Sequence, residues 1–374
     1  MPPLAEHFVG RYARQIGKVI DQVSPASLKR LEAYPWPGNI RELRTVLERA
    51  VLLSRSTILD VDEEMLADGL ALGSYRLVSP LGSGGMGEVW RADHRLLARP
   101  AAVKLIRHDV PSGARRDDLV RRFQREAQVT ASLRSPHTVQ LYDFGVNDSG
   151  SFYYVMELLE GLDLHRSVTR FGPQPSERIV ALLRQTCRSL AEAHGRGLVH
   201  RDIKPANLFV TRLGTEYDYV KVLDFGVVKE ASGQDTTLVT RGGMQGTPAF
   251  MPPEIAMGDR PIDGRADLYS LACAAYWALT GQPPFEADTA GQMILPHVQS
   301  PPIPPSERSE LPIPPSLEAL LMRCLAKDPD GRPVSAVALD AELGAVPCEP
   351  AWTQERAREW WEMHAPDSVG TGPR

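Results

Sequence analysis

The order of strands and helices along the 374-residue sequence predicts an α+β fold. Between residues 75 and 110, short runs rich in β-forming residues alternate with glycine-rich turns, a pattern typical of antiparallel strands. From about residue 119 the apolar runs are longer and helical in spacing, as in residues 176–194 and 266–280. Strands that precede the helices, instead of alternating with them, favour an α+β arrangement.

A helical zone precedes these strands. Ser24 can cap a helix that has Pro25 at its first position, and Asn39 can cap a second helix. Apolar residues of the second helix recur at the spacing of one helix face, at Ile40, Leu43, Leu47, Ala50 and Val51. The pattern predicts an all-α module.

Two changes of composition divide the chain into three parts. Gly73-Ser74 separates the helical module, residues 1–70, from a larger domain that we place at residues 75–343. The remaining tail, residues 344–374, holds three of the six tryptophans, at positions 352, 360 and 361. We expect this tail to be helical.

The composition narrows the classes of function. Lys and Arg number 42 against 47 Asp and Glu, which argues against nucleic-acid binding. The four cysteines form no C-x-x-C pair, which argues against a zinc site or a disulfide scaffold. No apolar run reaches the roughly 18 residues of a membrane span, and the N-terminus lacks the pattern of a secretory signal. These observations predict a soluble, cytoplasmic protein.

A glycine-rich segment, Leu81 to Val89, has the pattern G-x-G-x-x-G-x-V. Such a turn lets backbone N–H groups approach phosphates without obstruction by side chains. Two alternative interpretations share this sequence pattern: a glycine-rich turn without a ligand, and a dinucleotide-binding fingerprint. The fingerprint needs a helix immediately afterwards, whereas Glu88-Val89-Trp90 continues as a strand.

A lysine, Lys104, follows in the apolar strand Ala102-Val103-Lys104. An ammonium group is costly to bury without compensation, so it needs a carboxylate and a phosphate nearby. Glu126, in the amphipathic stretch from Leu119 to Leu133, is the natural carboxylate partner. A purely structural ion pair remains the alternative, and the upstream glycine-rich turn favours a functional one.

Two further motifs complete a recognisable set. They are His200-Arg201-Asp202-Ile203-Lys204-Pro205-Ala206-Asn207 and Asp224-Phe225-Gly226. Together with the glycine-rich turn, Lys104 and Glu126, they stand in the order and spacing of protein kinases, which residues 75–343 resemble. The resemblance implies a bilobal fold with a small antiparallel-sheet N-lobe and a helical C-lobe. The Gly-Gly-Met-Gly core is similar to that of the eukaryotic-like Ser/Thr kinases of bacteria.

The resemblance implies MgATP as the phosphoryl donor. Asp202 would orient the substrate hydroxyl and accept its proton, and Lys204 would stabilise charge on the transferred group. Asn207 and Asp224 would bind Mg²⁺, while Lys104 would hold the α- and β-phosphates and pair with Glu126.

The resemblance also implies which residues surround ATP. Met156 would be the gatekeeper, Glu157 to Leu159 the hinge, and Ala102, Val89 and Phe209 apolar walls. The glycine-rich segment would contribute Leu81, Gly82, Ser83, Gly84, Gly85, Met86, Gly87 and Val89. Because Phe209 is bulkier than the aliphatic residue usual at its position, we expect a tighter pocket than average.

Residues 227–253 would form the activation segment. It carries Thr236, Thr237, Thr240 and Thr247, and Arg201 offers a cation that a phosphothreonine could pair with. The family's A-P-E is Pro252-Pro253-Glu254 here, and Arg332 is the expected buried partner of Glu254. Asp267 matches the aspartate that braces the catalytic loop.

Residues 4–68 resemble a second family, the helical lid subdomain of AAA+ bacterial enhancer-binding activators. The resemblance rests on Leu4-Ala5-Glu6-His7-Phe8 and on the segment from Tyr34 to Leu43. The ATPase core is absent from this sequence, and Gly17-Lys18 lacks the phosphate-binding pattern of such a core. Two interpretations of the helical module stay open: a relic of a gene fusion, or a docking module for a partner.

The sequence therefore predicts a cytoplasmic Ser/Thr protein kinase that acts on protein substrates. The rival class is a pseudokinase scaffold, against which the presence of Lys104, Asp202, Asn207 and Asp224 argues. The lid resemblance also suggests a DNA-linked transcription regulator. Against this class, the sequence contains neither the ATPase core nor a DNA-reading helix-turn-helix.

Overall fold

The computed structural model divides into two compact units. One comprises residues 1–110 and 142–158, and the other residues 111–141 and 159–374. The structure describes the chain except for residues 1, 17, 37–38, 55, 62–65, 67–70, 85–86, 107–123, 126, 147–151, 226–247, 259, 288, 290 and 366–374.

The first unit begins with a small helical module that has the predicted cap at Ser24, whereas Asn39, the other predicted cap, is the first residue within its helix. Its elements are α1 (Pro2–Ile16), β1 (Gln22–Val23), α2 (Pro25–Ala33), α3 (Asn39–Leu53) and β2 (Ile58–Leu59). Strands β1 and β2 pair in parallel. Ser24 caps α2 by accepting a hydrogen bond from the backbone N–H of Ser27 at 3.1 Å, and Pro25 occupies the first turn. The sequence pattern for this helix is confirmed.

The apolar face of α3 packs inside the module. Leu43, Leu47, Ala50 and Val51 are buried in a cluster with residues of α1, such as Phe8 and Tyr12. Ile40, by contrast, is 55% exposed, although the spacing placed it on the same face. Periodicity fixes the face of a helix but not how far along its axis the packing extends.

A six-stranded sheet forms the rest of the first unit, with neighbours in the order β3-β4-β5-β6-β8-β7. Its strands are β3 (Ala71–Leu72), β4 (Tyr75–Gly84), β5 (Gly87–His94), β6 (Pro100–Ile106), β7 (Leu141–Val146) and β8 (Phe152–Glu157). The pairings from β3 through β6 to β8 are antiparallel. Trp90, Val103 and Val155 are buried in its apolar core. The predicted meander is therefore confirmed.

The second unit is mainly helical. Its strands are β9 (Gly161–Asp163), β10 (Leu208–Leu213) and β11 (Glu216–Val222), in the order β11-β10-β9. Its helices are α4 (Leu164–Phe171), α5 (Ser176–Gly195), α6 (Pro253–Met257), α7 (Gly264–Thr280), α8 (Ile294–Gln299), α9 (Pro315–Cys324), α10 (Ala336–Gly344) and α11 (Gln354–His364). Nearly every side chain of α7 is buried, as expected of a helix at the centre of a core. None of the described helices combines the length and apolar character needed to cross a membrane.

The strands-then-helices order of the sequence is thus confirmed as an α+β fold.

An ion pair in the second unit holds the segment after α9 to α6. Arg332 donates two hydrogen bonds to the carboxylate of Glu254, at 2.7 and 2.9 Å, and both side chains are buried. Arg332 also donates to the backbone oxygens of Ala326, Arg265 and Lys327. The expected pair is present, and it ties together three separate stretches of chain.

Replacing Arg332 with methionine should lower the free energy of unfolding by about 3–5 kcal/mol, because it leaves the buried Glu254 carboxylate without its cation. Adding Glu254→Gln should restore at least about 1 kcal/mol, since a neutral amide tolerates burial better than a charge. Urea unfolding followed by tryptophan fluorescence measures both changes.

The matched control is Arg260→Met, which breaks the exposed pair between Arg260 and Asp328. Its effect should stay below about 1 kcal/mol. Equal losses for Arg332→Met and Arg260→Met would contradict the structural role of the buried pair.

Candidate active site

The described part of the glycine-rich segment lies at the paired ends of β4 and β5. The register pairs Gly82 with Val89 and Gly84 with Gly87. Gly87 has a φ of 143°, and a Cβ at this position would lie 1.8 Å from the backbone oxygen of Leu105. Only glycine allows this close approach of β5 to β6. Gly85 and Met86 lie outside the described residues, as does the side chain of Ser83.

Lys104 lies in β6, with Val89 opposite on β5 and Tyr154 opposite on β8. The side chain is 7% exposed, and its Nζ lies 5.7 Å from the centre of the Tyr154 ring. The buried position of the lysine is therefore as predicted. Glu126 lies outside the described residues, so its pairing with Lys104 stays a prediction.

The residues predicted to surround adenine fall on both units. Ala102 lies opposite Met156 across β6 and β8, and both are buried. Glu157 ends β8, and the division between the two units falls just before Leu159. Leu81 is 46% exposed at the end of the hairpin. Phe209, in the second unit, is half-buried on β10 and pairs with Asp163 of β9.

The catalytic loop is cross-linked around the carboxylate of Asp202. Lys204 Nζ lies 2.8 Å from Asp202 Oδ2. The amide of Asn207 donates to the backbone oxygen of Asp202 at 2.8 Å and to its Oδ2 at 3.2 Å. Lys204 and Asn207, two of the predicted site residues, therefore both lie within hydrogen-bonding distance of Asp202.

Asp267 of α7 fixes the backbone just before this loop. Its two carboxylate oxygens accept hydrogen bonds from the backbone N–H groups of His200 and Arg201, both at 2.8 Å. His194 Nε2 lies 2.8 Å from Asp267 Oδ2. Arg201 has a φ of 62°, a left-handed conformation that a non-glycine residue adopts only at a cost in energy. The predicted bracing by Asp267 is therefore present, and it acts on a strained residue.

His200 is a packing residue, as the sequence predicted. Its side chain is fully buried, and its ring lies 4.6 Å from that of Phe225. Nε2 lies 2.8 Å from the backbone oxygen of Leu223, while Nδ1 accepts from the backbone N–H of Asp202 at 3.2 Å. Both ring nitrogens are occupied, so His200 is not an acid–base group.

Asn207 and Asp224 come from adjacent backbone segments. The backbone N–H of Leu223 donates to the backbone oxygen of Asn207 at 2.9 Å, and Asp224 is the next residue. Asp224 itself has a left-handed φ of 55°. A carboxylate and an amide oxygen are hard ligands, so this pair fits Mg²⁺ chemically.

Burial perturbs a histidine beneath the segment that precedes α6. His297 of α8 lies 2.9 Å through Nδ1 from the hydroxyl of Tyr269. Burial lowers the pKa of His297 to about 3, so the ring is neutral near pH 7.

The four threonines of the predicted activation segment, Thr236, Thr237, Thr240 and Thr247, lie outside the described residues.

Sequence reasoning missed two groups that support the loop. The first is the segment 137–139, where Val222 donates to the backbone oxygen of His137 and Val139 donates to that of Val222. This segment carries no motif that could have revealed it. The second is the buried pair of Arg178 and Asp218, 2.7 Å apart, for which an arginine in an otherwise apolar helix face was a usable signal.

Comparison with known proteins gives matches to two families. The protein kinase domain matches residues 75–343, and the AAA+ ATPase lid domain matches residues 1–69. Serine/threonine-protein kinase pkn3 of Myxococcus xanthus is 40% identical over 275 residues, which are 73% of this chain and 50% of that protein. PknB of Mycobacterium tuberculosis is 37% identical over 275 residues, 73% of this chain and 42% of that protein. The chain thus spans half or less of the length of these relatives.

A solved structure gives the same result. The kinase domain of PknI from Mycobacterium tuberculosis is 28% identical, with a TM-score of 0.58 over 74% of this chain and 98% of that domain. Both resemblances predicted from the sequence, and the kinase fold, are confirmed. Since the kinase domain match covers well over half of the residues, this chain belongs to the protein kinase family.

Proposed function

We propose that this chain is a serine/threonine protein kinase, which transfers the γ-phosphoryl group of MgATP to Ser and Thr hydroxyls of proteins. The observation that carries the proposal is the cross-linked catalytic loop. Asp202 is held by Lys204 and Asn207 through its side chain, and Asp267 holds the backbone before it. Phosphoryl transfer depends mainly on positioning and charge neutralisation, which this arrangement can supply.

Each residue of the loop has a chemical role in the proposal. Asp202 orients the substrate hydroxyl and accepts its proton as the new P–O bond forms. Lys204, 2.8 Å from that carboxylate, brings a positive charge to the transferred group. Asn207 keeps the carboxylate of Asp202 in place through its amide N–H.

The rest of the site binds the nucleotide and its metal. The protein kinase family uses ATP with Mg²⁺, and bound Mg²⁺ neutralises charge on the phosphates. Asn207 and Asp224 are the residues that would hold the ion. Lys104 would bind the α- and β-phosphates and pair with Glu126, and the backbone N–H groups of the glycine-rich segment would cover the phosphates. The residues proposed to contact the adenine are Val89, Ala102, Met156, Leu159 and Phe209, and Glu157 would belong to the hinge.

Protein substrates carrying Ser or Thr are the proposed partners, and the cytoplasm the proposed location. The acidic balance of charges supports a function without nucleic acid. A pseudokinase is the competing function. Lys104, Asp202, Asn207 and Asp224 are all present, which favours catalysis.

Lys104→Met and Asp202→Asn should each lower kcat/KM for phosphoryl transfer by more than about a hundredfold, because positioned charges at the reacting phosphate are lost. Asp224→Asn should have a similar effect that high Mg²⁺ partly reverses. Transfer of ³²P from ATP to a basic peptide measures the rates. Lys29→Met and Asp330→Asn, at exposed positions, are the matched controls. Near wild-type rates for Lys104→Met or Asp202→Asn would favour the pseudokinase.

The kinase should phosphorylate itself in trans on Thr236, Thr237 or Thr240, and its activity should rise as it does. A phosphothreonine there would find a cation in Arg201, whose backbone Asp267 fixes. Mass spectrometry locates the sites, and Asp202→Asn protein serves as a substrate that cannot modify itself. Unmodified threonines in active enzyme, or full activity of a triple alanine variant, would count against this regulation.

The helical module of residues 1–70 is proposed to fold independently and to dock a partner. Its apolar residues form their own cluster, separate from that of the sheet. A deletion up to residue 70 keeps β3, which pairs with β4. The shortened protein should retain kcat/KM for a short peptide within about tenfold, or 1.4 kcal/mol of transition-state stabilisation. A larger loss would mean that the module regulates catalysis from within the chain.

A further inference from the structure

The C-terminal segment of residues 350–365, here called the docked segment, lies beyond the kinase domain match and packs on the second unit. Trp361 is 1% exposed and belongs to the main apolar core, together with Ala365. Helix α11 of this segment contacts β11. The docked segment is thus part of the folded unit.

The surface beneath the docked segment contains a buried ion pair. Arg178 of α5 donates from Nε and Nη2 to the two carboxylate oxygens of Asp218, at 2.8 and 2.7 Å. The exposed fractions of the two residues are only 1% and 2%. A buried carboxylate is tolerated when its oxygens are fully hydrogen-bonded.

The docked segment supplies the remaining hydrogen bonds to this carboxylate. Trp352 Nε1 donates to Asp218 Oδ2 at 2.9 Å, and Trp361 Nε1 donates to Asp218 Oδ1 at 2.7 Å. Each oxygen therefore accepts one N–H from Arg178 and one from an indole. The two tryptophans recognise a specific anion, and do more than fill apolar space.

Two further contacts hold the docked segment, one made by Arg178 and one by the ion pair of Arg356 with Glu177. The guanidinium carbon of Arg178 lies 3.4 Å from the centre of the Trp360 ring, in a cation–π contact. Arg356 donates to Glu177 at 2.7 Å, and its guanidinium lies 4.9 Å from the Trp352 ring. The docked segment therefore contacts α5 both through an ion pair and through cation–π contacts.

Gln354 attaches the docked segment to the backbone of β11. Its side-chain oxygen accepts from the N–H of Tyr217 at 2.8 Å, and its amide donates to the oxygen of Tyr217 at 3.2 Å. The amide side chain thus pairs with Tyr217 as a neighbouring strand would. The docked segment therefore binds the backbone of Tyr217 and the side chain of the next residue, Asp218.

Strand β11 leads from this attachment to the catalytic loop. Gln185 of α5 holds its middle, by donating to the oxygen of Asp218 and accepting from the N–H of Val220. At its far end Leu223 donates to the backbone oxygen of Asn207, and Asp224 follows. A shift of β11 would therefore reach both proposed Mg²⁺ ligands.

We propose that the surface around Arg178, Asp218 and Tyr217 is a docking site for the chain's own residues 350–365, and that its occupation positions β11 and thereby Asn207 and Asp224. The positioning half of this proposal rests on the proposed kinase function. Trp352, Trp361 and Gln354 are positioning residues, since they act through β11 and touch no substrate.

The test uses the full-length protein with the double substitution Trp352→Phe and Trp361→Phe. Phenylalanine keeps an aromatic ring at each position but removes the N–H donors. Hydrogen exchange by mass spectrometry should show the amides of α11 exchanging at least about tenfold faster, because hydrogen bonds to a buried carboxylate are lost. The amide of Leu223 should also exchange faster. With MgATP, kcat should fall at least about threefold while the peptide KM stays within about twofold, a split typical of lost positioning.

Two further variants keep the test decisive. Gln354→Ala alters an exposed side chain, so the fold is not at risk, and it should give the same changes in smaller measure. Met363→Ala, on α11 at a residue that is 76% exposed, should change neither exchange nor kcat. If the double variant fails to fold, the Gln354→Ala and Met363→Ala pair decides.

Each readout can overturn a separate part. Unchanged exchange in α11 would overturn docking through the indole donors. Faster exchange in α11 with unchanged Leu223 exchange and unchanged kcat would overturn positioning. Exchange needs no enzyme activity, so an inactive wild-type protein would refute the proposed kinase function while leaving the docking result to stand. An effect that disappears at high protein concentration would mean that the segment of a second copy occupies the site.

Discussion

The buried carboxylate of Asp267 is the constraint on which the catalytic loop depends. It accepts backbone hydrogen bonds from His200 and Arg201, and the latter residue has a left-handed backbone. Since that conformation is unfavourable for arginine in isolation, the surroundings must maintain it. Asp267 can do so because nearly every side chain of α7 is packed in the core. The geometry of Asp202, Lys204 and Asn207 follows from this fixed starting point.

Motif letters indicated the local surroundings of several described residues, because each motif specifies both a residue type and a backbone environment. Lys104 is buried in a strand, His200 is a packing residue, and Arg332 pairs with Glu254, all as the sequence indicated. Local signals were equally informative where the interaction is local, as for the cap formed by Ser24. Ile40 shows the limit of such signals, since its exposure depends on where neighbouring elements end.

The contacts that the sequence did not predict join residues far apart along the chain. The tail had only its tryptophan content as a signal, and the indole groups of Trp352 and Trp361 find their acceptor 134 and 143 residues upstream, in Asp218. The segment 137–139 meets Val222 in the same way, through backbone groups alone. No periodicity or spacing rule encodes such pairings, because they depend on the final packing of several elements. Three-dimensional structure was needed to find them.

The carboxylate of Asp218 has a consequence for how the protein is made. Its indole donors are translated long after the strand that carries it, so a nascent chain cannot complete this site until residue 365 has left the ribosome. Until then the carboxylate of Asp218 keeps only its hydrogen bonds from Arg178, and Tyr217 lacks the side chain of Gln354. If the docked segment positions β11 as proposed, the strand and the loop beside it would be set only when translation of this region is finished.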